Sequence, residues 1–181
     1  KIVGSGVQLG GTGTITVNGP SGVFLVDDTS GAASSHTNGT RPVTLTGGSL
    51  VYSGNASGAS SQTFGTLTGN RGATNTVTTN AGGAQTSTLT FGSLTNNGNS
   101  SLAFSGTNLG TASNKIVFTT APGLTNNVLQ RAIINGTDLV SYNHNGTSGN
   151  TNGIQAFTGY DGSNNIDTAA ATATMQITAT P

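Results

Sequence analysis

The chain of 181 residues contains no cysteine, no tryptophan and no glutamate, and it carries little charge of either sign. Without cysteine, neither disulfide bonds nor thiolate metal sites can form. Five basic and five acidic residues give a formal net charge of zero, which excludes the basic surface that nucleic acids or anionic membranes require. No apolar run approaches the roughly 20 residues of a membrane span. The sequence therefore predicts neither nucleic-acid binding nor membrane insertion.

Glycine, serine, threonine and asparagine together supply more than half of the chain, and glycine alone occupies 29 positions. Only 32% of the residues are hydrophobic, a low fraction that often indicates disorder. Disordered chains, however, are usually highly charged or rich in proline, whereas this chain is 6% charged and has four prolines. Abundant threonine and regularly spaced aromatic residues favour β-strands. We therefore predict an ordered all-β chain with a thin core.

Short strand-like segments recur along the chain at related spacings. Residues 90–95, with the sequence Thr-Phe-Gly-Ser-Leu-Thr, match residues 63–68 at an offset of 27. Residues 101–106, with the sequence Ser-Leu-Ala-Phe-Ser-Gly, match residues 49–54 at an offset of 52, or two times 26. The two motif types alternate, so the repeating unit contains two segments. A repeat of this length, within the range of roughly 20 to roughly 50 residues, is typical of solenoids and propellers.

We predict from this period a right-handed parallel β-helix (β-solenoid) with about 26–27 residues per coil. Its structural repeat core consists of the large apolar residues at the segment centres, which follow one another every 12 to 14 positions: Tyr52, Phe64, Val77, Phe91, Phe104 and Phe118. Equivalent strands then stack one coil apart, so Phe64 lies over Phe91. The alternative is an antiparallel β-sandwich, because its strands also follow one another at close to this spacing.

The whole chain, residues 1–181, is predicted to be a single β-solenoid segment of a longer repeat protein. Residues 27–42 have no periodicity and are interpreted as a surface loop or insertion. Residues 43–118 are the most regular repeats, and residues 119–181 form looser terminal coils. Dividing the length by the period predicts just under seven coils. No signal peptide is visible, which suggests a processed or excised segment, and no polar terminal cap of the kind that ends repeat arrays is obvious.

The segments at residues 49–54, 63–68, 90–95 and 101–106 resemble the autotransporter-associated β-strand repeat of long bacterial surface proteins. Residues 110–118, 135–139 and 153–157 share the resemblance, which covers roughly residues 43 to 160. It implies a secreted or outer-surface β-solenoid that forms part of a larger passenger region. The chain departs from a full autotransporter because it shows neither a signal sequence nor a C-terminal membrane barrel, so the export route and any attachment to a cell stay open.

Candidate catalytic residues are few. The only histidines are His36 and His144, both in glycine-, serine- and asparagine-rich sequence, and we interpret them as exposed loop residues. Glycoside hydrolysis needs two carboxylates across the scissile bond, and only Asp27 and Asp28 are adjacent. Residues 161–167 offer oxygen ligands for calcium at Asp161 and Asp167, but they lack the spacing of an EF-hand and read as a polar turn. We therefore predict no catalytic residue, no metal and no cofactor.

The predicted function is that of a non-catalytic extracellular structural segment of a bacterial surface protein, which forms a stalk, a matrix or a self-assembling filament. Its predicted partners are other copies of itself, bound head to tail, or further repeats of the parent chain. The first alternative is an adhesin or glycan-binding module that uses loop aromatics such as Tyr142 and Tyr160, with Tyr160 the possible ligand contact. The second alternative is a polysaccharide-active β-helix enzyme that depends on Asp27 or Asp28.

Overall fold

The computed structural model describes residues 1–3, 7–31, 35–143 and 151–160, and within these ranges every regular element is a β-strand. Most strands pair in parallel and stack as a β-solenoid of about five turns. The predicted all-β parallel solenoid is therefore confirmed, and the antiparallel sandwich is wrong. The count of just under seven coils is also wrong, because the described residues form about five turns and their strand pairs after β11–β13 are antiparallel.

Fifteen strands are present in the described residues. In chain order they are β1 (Ile2–Val3), β2 (Ile15–Asn18), β3 (Val23–Asp27), β4 (Val43–Thr46), β5 (Ser49–Ser53), β6 (Ser60–Phe64), β7 (Leu67–Gly69), β8 (Asn75–Asn80), β9 (Ser87–Phe91), β10 (Leu94–Asn96), β11 (Leu102–Ser105), β12 (Asn114–Phe118), β13 (Ala132–Ile134), β14 (Asp138–Tyr142) and β15 (Ile154–Ala156).

The strands form three sheets, so a complete coil has three faces rather than two. The eight-stranded sheet has the order β1-β3-β5-β8-β11-β13-β14-β15, the four-stranded sheet β10-β7-β4-β2, and the three-stranded sheet β12-β9-β6. In the three-stranded sheet the register follows the period of the sequence motif, with Phe64 opposite Phe91 and Phe91 opposite Phe118. Each pair buries side chains between the faces and satisfies the backbone with hydrogen bonds along the solenoid axis.

Alternation of small polar and apolar residues explains why these segments become strands. In β9, Ser87, Leu89 and Phe91 are buried, while Thr88 and Thr90 are half-exposed. Successive side chains in a strand point to opposite faces of the sheet, so one face of β9 packs inside the coil and the other faces solvent. The same pattern in β12 buries Ile116, and it explains how a chain with few apolar residues fills a core.

The C-terminal part of the described chain is an antiparallel cap, not a set of looser coils. At the end of β13, Asn135 and Gly136 both have positive φ angles, 51° and 73°, as a type I′ hairpin turn requires. The turn reverses the chain, so β14 pairs antiparallel with β13, and β15 pairs antiparallel with β14. The Tyr142 hydroxyl then bonds to both the amide and the carbonyl of Phe118, each at 2.8 Å. We call residues 132–143 and 151–160 together the C-terminal cap.

Residues 27–42 include buried positions, although they were interpreted as a surface loop. Asp28, His36 and Thr37 are exposed by 0%, 1% and 4%. The Ser35 amide donates to the Ser61 carbonyl at 2.9 Å, so this segment continues the three-stranded sheet beyond β6. The surface interpretation is therefore wrong for these residues, which belong to a coil that is closed by polar contacts.

Candidate functional site

The six residues predicted as the repeat core all lie inside the solenoid. Their exposed fractions are 5% for Phe118 and 0% for the others, which are Tyr52, Phe64, Val77, Phe91 and Phe104. The rings of Phe64 and Phe91 stack with centroids 5.9 Å apart, and those of Phe91 and Phe118 with centroids 5.6 Å apart. Such contacts between rings add to the stability that burial alone provides.

Tyr52 and Phe104 are not equivalent, although their sequence contexts are nearly identical. The register pairs Leu50 with Val77 and Val77 with Phe104, so that Leu50 and Phe104 share a column. Tyr52 lies opposite Thr79 in the next column. Leu50 and Phe104, which lie two coils apart in one column, are thus separated by two positions more than the 52 positions that separate the matching sequence motifs. A shift of two positions keeps every side chain on the same face of the sheet, so burial alone cannot reveal it.

Asp27 and Asp28 point to opposite sides of the chain and cannot act together on one bond. Asp27 faces outward, where it lies 3.0 Å from the Lys1 ammonium and accepts hydrogen bonds from the Thr29 hydroxyl (2.6 Å) and amide (3.1 Å). The Thr29 hydroxyl first, and Lys1 second, lower the pKa of Asp27 to about 2. Asp28 faces inward and is 0% exposed.

Asp28 forms a buried cluster with His36 and Tyr52, whose exposed fractions are 1% and 0%. His36 Nε2 lies 2.5 Å from Asp28 Oδ1, and the Tyr52 hydroxyl donates to Asp28 Oδ2 at 2.9 Å. On its other side, His36 Nδ1 lies 2.6 Å from the Val7 carbonyl oxygen. The interpretation of His36 as an exposed loop residue is therefore wrong, because it is 1% exposed and contacts Val7, Asp28 and Gln62.

The electrostatics of the cluster fit a charged histidine. Burial by itself lowers the pKa of His36, but the hydrogen bonds to Asp28 and to the Val7 carbonyl outweigh it, so the pKa lies above its usual value. Burial also raises the pKa of Tyr52, with Asp28 adding to the shift. Tyr52 therefore keeps its proton and donates a hydrogen bond to Asp28. The hydrogen-bonding groups of His36, Asp28 and Tyr52 therefore satisfy one another inside the coil.

Polar contacts from the same region hold the N-terminal segment, residues 7–13. The Leu9 amide donates to the His36 carbonyl at 2.7 Å. The Arg41 guanidinium donates to the carbonyls of Gly10 and Gly13, each at 2.7 Å. Gln62, which is fully buried, accepts the His36 amide at 2.7 Å. Since the side chains of the cluster are 0–1% exposed, their contacts join chain segments inside the coil.

Tyr160, the predicted ligand contact, is half-buried. Its ring packs edge-to-face on Phe157 with centroids 5.1 Å apart, and its hydroxyl accepts the Leu139 amide at 3.3 Å. Tyr142 is only 7% exposed, so the idea that it is an exposed loop aromatic is wrong. His144, Asp161 and Asp167 lie outside the described residues.

A shallow groove of about 460 Å³ lies beside the C-terminal cap. Its lining is mostly apolar and includes Ile133, which is 43% exposed, and a single charged side chain, Arg131. The groove offers neither a carboxylate for acid–base chemistry nor an aromatic ring for stacking on a sugar. Among the residues that the structure describes, no three side chains of the metal-binding types come together, and no helix has the length and apolarity that a membrane crossing needs.

Comparison with known proteins adds no further assignment. No family model, no curated protein and no solved structure matches the chain. Two features of the fold bear on function: the stacked coils with their unequal ends, and the buried Asp28–His36–Tyr52 cluster. Asp28 had a signal in the sequence, since alternation along Val26, Asp27 and Asp28 turns the third side chain inward again. The sequence contained no such signal of burial for His36, because His36 lies outside any regular strand.

Proposed function

We propose that the chain is a non-catalytic structural segment of an extracellular bacterial surface protein, in which stacked coils serve as a stalk, matrix or filament. The observation that carries the proposal is the difference between the two ends of the solenoid. The C-terminal end has antiparallel strands folded across it. At the other end, no strand in the described ranges pairs with the outer edges of β1 and β2; at the C-terminal end the outer edge of β10 is likewise unpaired, but that of β13 is covered by β14. The bacterial surface location rests on the resemblance of residues 43–160 to autotransporter-associated repeats.

The outer edge of β2 has the chemistry needed to accept another strand. The Ile15 amide donates inward to the Pro42 carbonyl at 2.9 Å. Since backbone groups alternate between the two sides of a strand, the Thr16 amide and carbonyl point away from β4. Unpaired groups of this kind recruit further strands unless charge, proline or a covering segment blocks them. β2 itself, with the sequence Ile-Thr-Val-Asn, contains none of these protecting residues.

The occupant of this edge is a further coil, supplied either by more repeats of the parent chain or by a second copy bound head to tail. The formal net charge of zero removes the long-range repulsion that would keep copies apart. Head-to-tail contacts are heterologous and need not close into a ring, so an assembly of this kind grows along the solenoid axis.

The self-association of the 181-residue chain tests the proposal. We expect light scattering and electron microscopy to show assemblies that grow with protein concentration. The substitution Thr16→Pro removes an outward amide without breaking a hydrogen bond to β4, and proline is tolerated on edge strands, so it should weaken assembly. Thr16→Val keeps the amide and the β-branched shape and should assemble like the wild type. A dispersed monomer at high concentration, or equal assembly of both variants, would contradict the head-to-tail arrangement.

The two alternative functions receive no specific support from the described residues. All six phenylalanines and three tyrosines lie in the described part of the chain, and each is buried or half-buried. None of them offers the fully exposed ring that a glycan-stacking platform needs. A polysaccharide-active enzyme would need paired carboxylates, and Asp27 and Asp28 face opposite sides of the coil.

A further inference from the structure

One of the contacts that hold residues 7–13, the contact between the His36 ring and the Val7 carbonyl, depends on a single proton. Both ring nitrogens face acceptor oxygens: Nε2 lies 2.5 Å from Asp28 Oδ1, and Nδ1 lies 2.6 Å from the Val7 carbonyl oxygen. Only the imidazolium has an N–H group on both nitrogens. The Val7 oxygen has no proton to give, and the other oxygen of Asp28 already accepts from Tyr52.

Loss of the imidazolium proton must break one of these two contacts. If Nε2 lost its hydrogen, a lone pair would face a buried carboxylate that cannot move, because Asp28 and Tyr52 are both 0% exposed. If Nδ1 lost its hydrogen, a lone pair would face the carbonyl of Val7, which is 47% exposed and can swing outward into water. The second route costs less, since the freed carbonyl regains hydrogen bonds to solvent. Deprotonation therefore weakens the attachment of residues 7–13.

Few other charged groups face this site in the described residues. The groups are Asp28, which directly follows β3, Tyr52 in β5 and the uncharged Gln62 in β6. Arg41 holds the same segment through the Gly10 and Gly13 carbonyls, but a guanidinium keeps its charge throughout the accessible pH range. Asp27 is paired with Lys1 on the outer side of the chain. His36 is thus the one group in this set that changes charge near neutral pH.

We propose that His36 is a proton-operated latch that holds Val7 and the nearby Leu9 against the solenoid when charged and loosens them when neutral, while Arg41 keeps its bonds to Gly10 and Gly13. Loosening weakens the contact of the Leu9 amide with the His36 carbonyl in the coil formed by residues 35–37. The direction follows from the raised pKa of His36: the latch is closed below the ordinary value of about 6.5 and opens as the pH rises through the higher value of the folded chain. The inference does not rest on self-association, and it holds equally for a monomer.

Hydrogen exchange at the Leu9 amide, corrected for the intrinsic effect of pH, tests the latch on the full chain. Between pH 6.5 and the pKa of folded His36, we expect Leu9 protection to fall by up to about tenfold per pH unit. Protection of the Leu89 amide in β9 should stay constant. Imidazole nitrogen NMR should show His36 doubly protonated at pH 6.

Two variants separate the latch from general effects of pH. His36→Gln should give low Leu9 protection at every pH, while His144→Gln, which replaces the only other histidine, should keep the pH dependence of the wild type. If His36→Gln fails to fold, the pH profiles of Leu9 protection in the wild type and in His144→Gln are sufficient to test the proposal. Leu9 protection that does not change between pH 6 and 9, a pH dependence that disappears in His144→Gln, or a neutral His36 ring at pH 6 would overturn the proposal.

Discussion

The middle coils of the solenoid are held by stacked phenylalanines, whereas the first coil is closed by ionisable and amide side chains. Phe64, Phe91 and Phe118 pack ring on ring, and their attraction needs no particular protonation state. Asp28 and His36 fill the interior of the first coil, and they stabilise it only as a hydrogen-bonded pair. One chain therefore combines a core that is insensitive to pH with an N-terminal end whose stability depends on it. Substitutions in each region test this difference.

Truncation of the central ring should have the largest effect. Phe91 is 0% exposed and lies between two other rings, so Phe91→Ala leaves a cavity that the neighbouring strands cannot fill. We expect a loss of about 3–5 kcal/mol in the free energy of unfolding, measured by urea denaturation. Phe91→Leu keeps most of the volume and should lose about 1.5 kcal/mol. Equal stabilities for the two variants would show that the stacked phenylalanine rings do not stabilise the middle coils.

The C-terminal cap should respond strongly to one added methyl group. A Cβ at Gly153 would lie 2.0 Å from the Ile116 carbonyl oxygen, whereas a Cβ at Gly136 would have nothing within 4 Å. The two glycines have similar φ angles, 76° and 73°, so alanine at either position suffers about the same backbone strain. We expect Gly153→Ala to be less stable than Gly136→Ala by roughly 1–3 kcal/mol in urea denaturation. Indistinguishable midpoints would mean that the cap is not closely docked on β12.

Removal of one hydroxyl from the buried cluster should have a smaller, local effect. Tyr52→Phe deletes the donor to Asp28, together with the contact of the same hydroxyl with Ser60, at a cost of about 1–2 kcal/mol. The change should appear as roughly tenfold faster hydrogen exchange at the Asp28 amide, which donates to the Ser53 carbonyl at 2.8 Å. Tyr142→Phe is the matched control, since its hydroxyl bonds to Phe118 in the cap. It should accelerate exchange near Phe118 and leave Asp28 unchanged; the reverse pattern would contradict the assignment.

The surface ion pair of the first coil should matter least. Lys1 is 53% exposed on its side chain, so its pair with Asp27 is worth less than about 1 kcal/mol. Because the pKa of Asp27 is lowered to about 2 from 3.8, its contribution is present above pH 3.8 and disappears as the pH falls through 2. Urea midpoints of the wild type and Asp27→Asn should therefore converge at the acid end. A difference that persists below pH 2 would point to another cause.

The regular coils could be predicted from the sequence because their pattern is both periodic and apolar. The offset between the matching motifs at residues 63–68 and 90–95 gave the correct register in the three-stranded sheet. The match between the motifs at residues 49–54 and 101–106 predicted a strand register that is wrong by two positions. In the folded chain, Tyr52 is placed by its hydroxyl bond to Asp28, and a contact to a residue 24 positions away leaves no trace in a local motif.

The two ends were harder to predict, for different reasons. The buried state of His36 depends on partners in three other segments, Asp28, Gln62 and Val7, and a polar residue in polar sequence gives no sign of burial. The cap did have a local signal, the Asn135–Gly136 turn. What the local sequence could not supply was the direction of the next strand, because parallel and antiparallel pairing use the same alternation.

The type I′ turn of the cap also bears on the order in which the chain folds. Ile134 pairs with Asp138 across that turn, whereas neighbours in the coils, such as Phe64 and Phe91, are separated by a whole coil of chain. Closing the longer loop costs about 1.5 kcal/mol more in chain entropy, and a hairpin forms within microseconds. We therefore expect nucleation at the cap, followed by the addition of coils toward the N-terminus. On this order, the segment that His36 contacts joins the solenoid last, and the solenoid assembles in one direction along its axis.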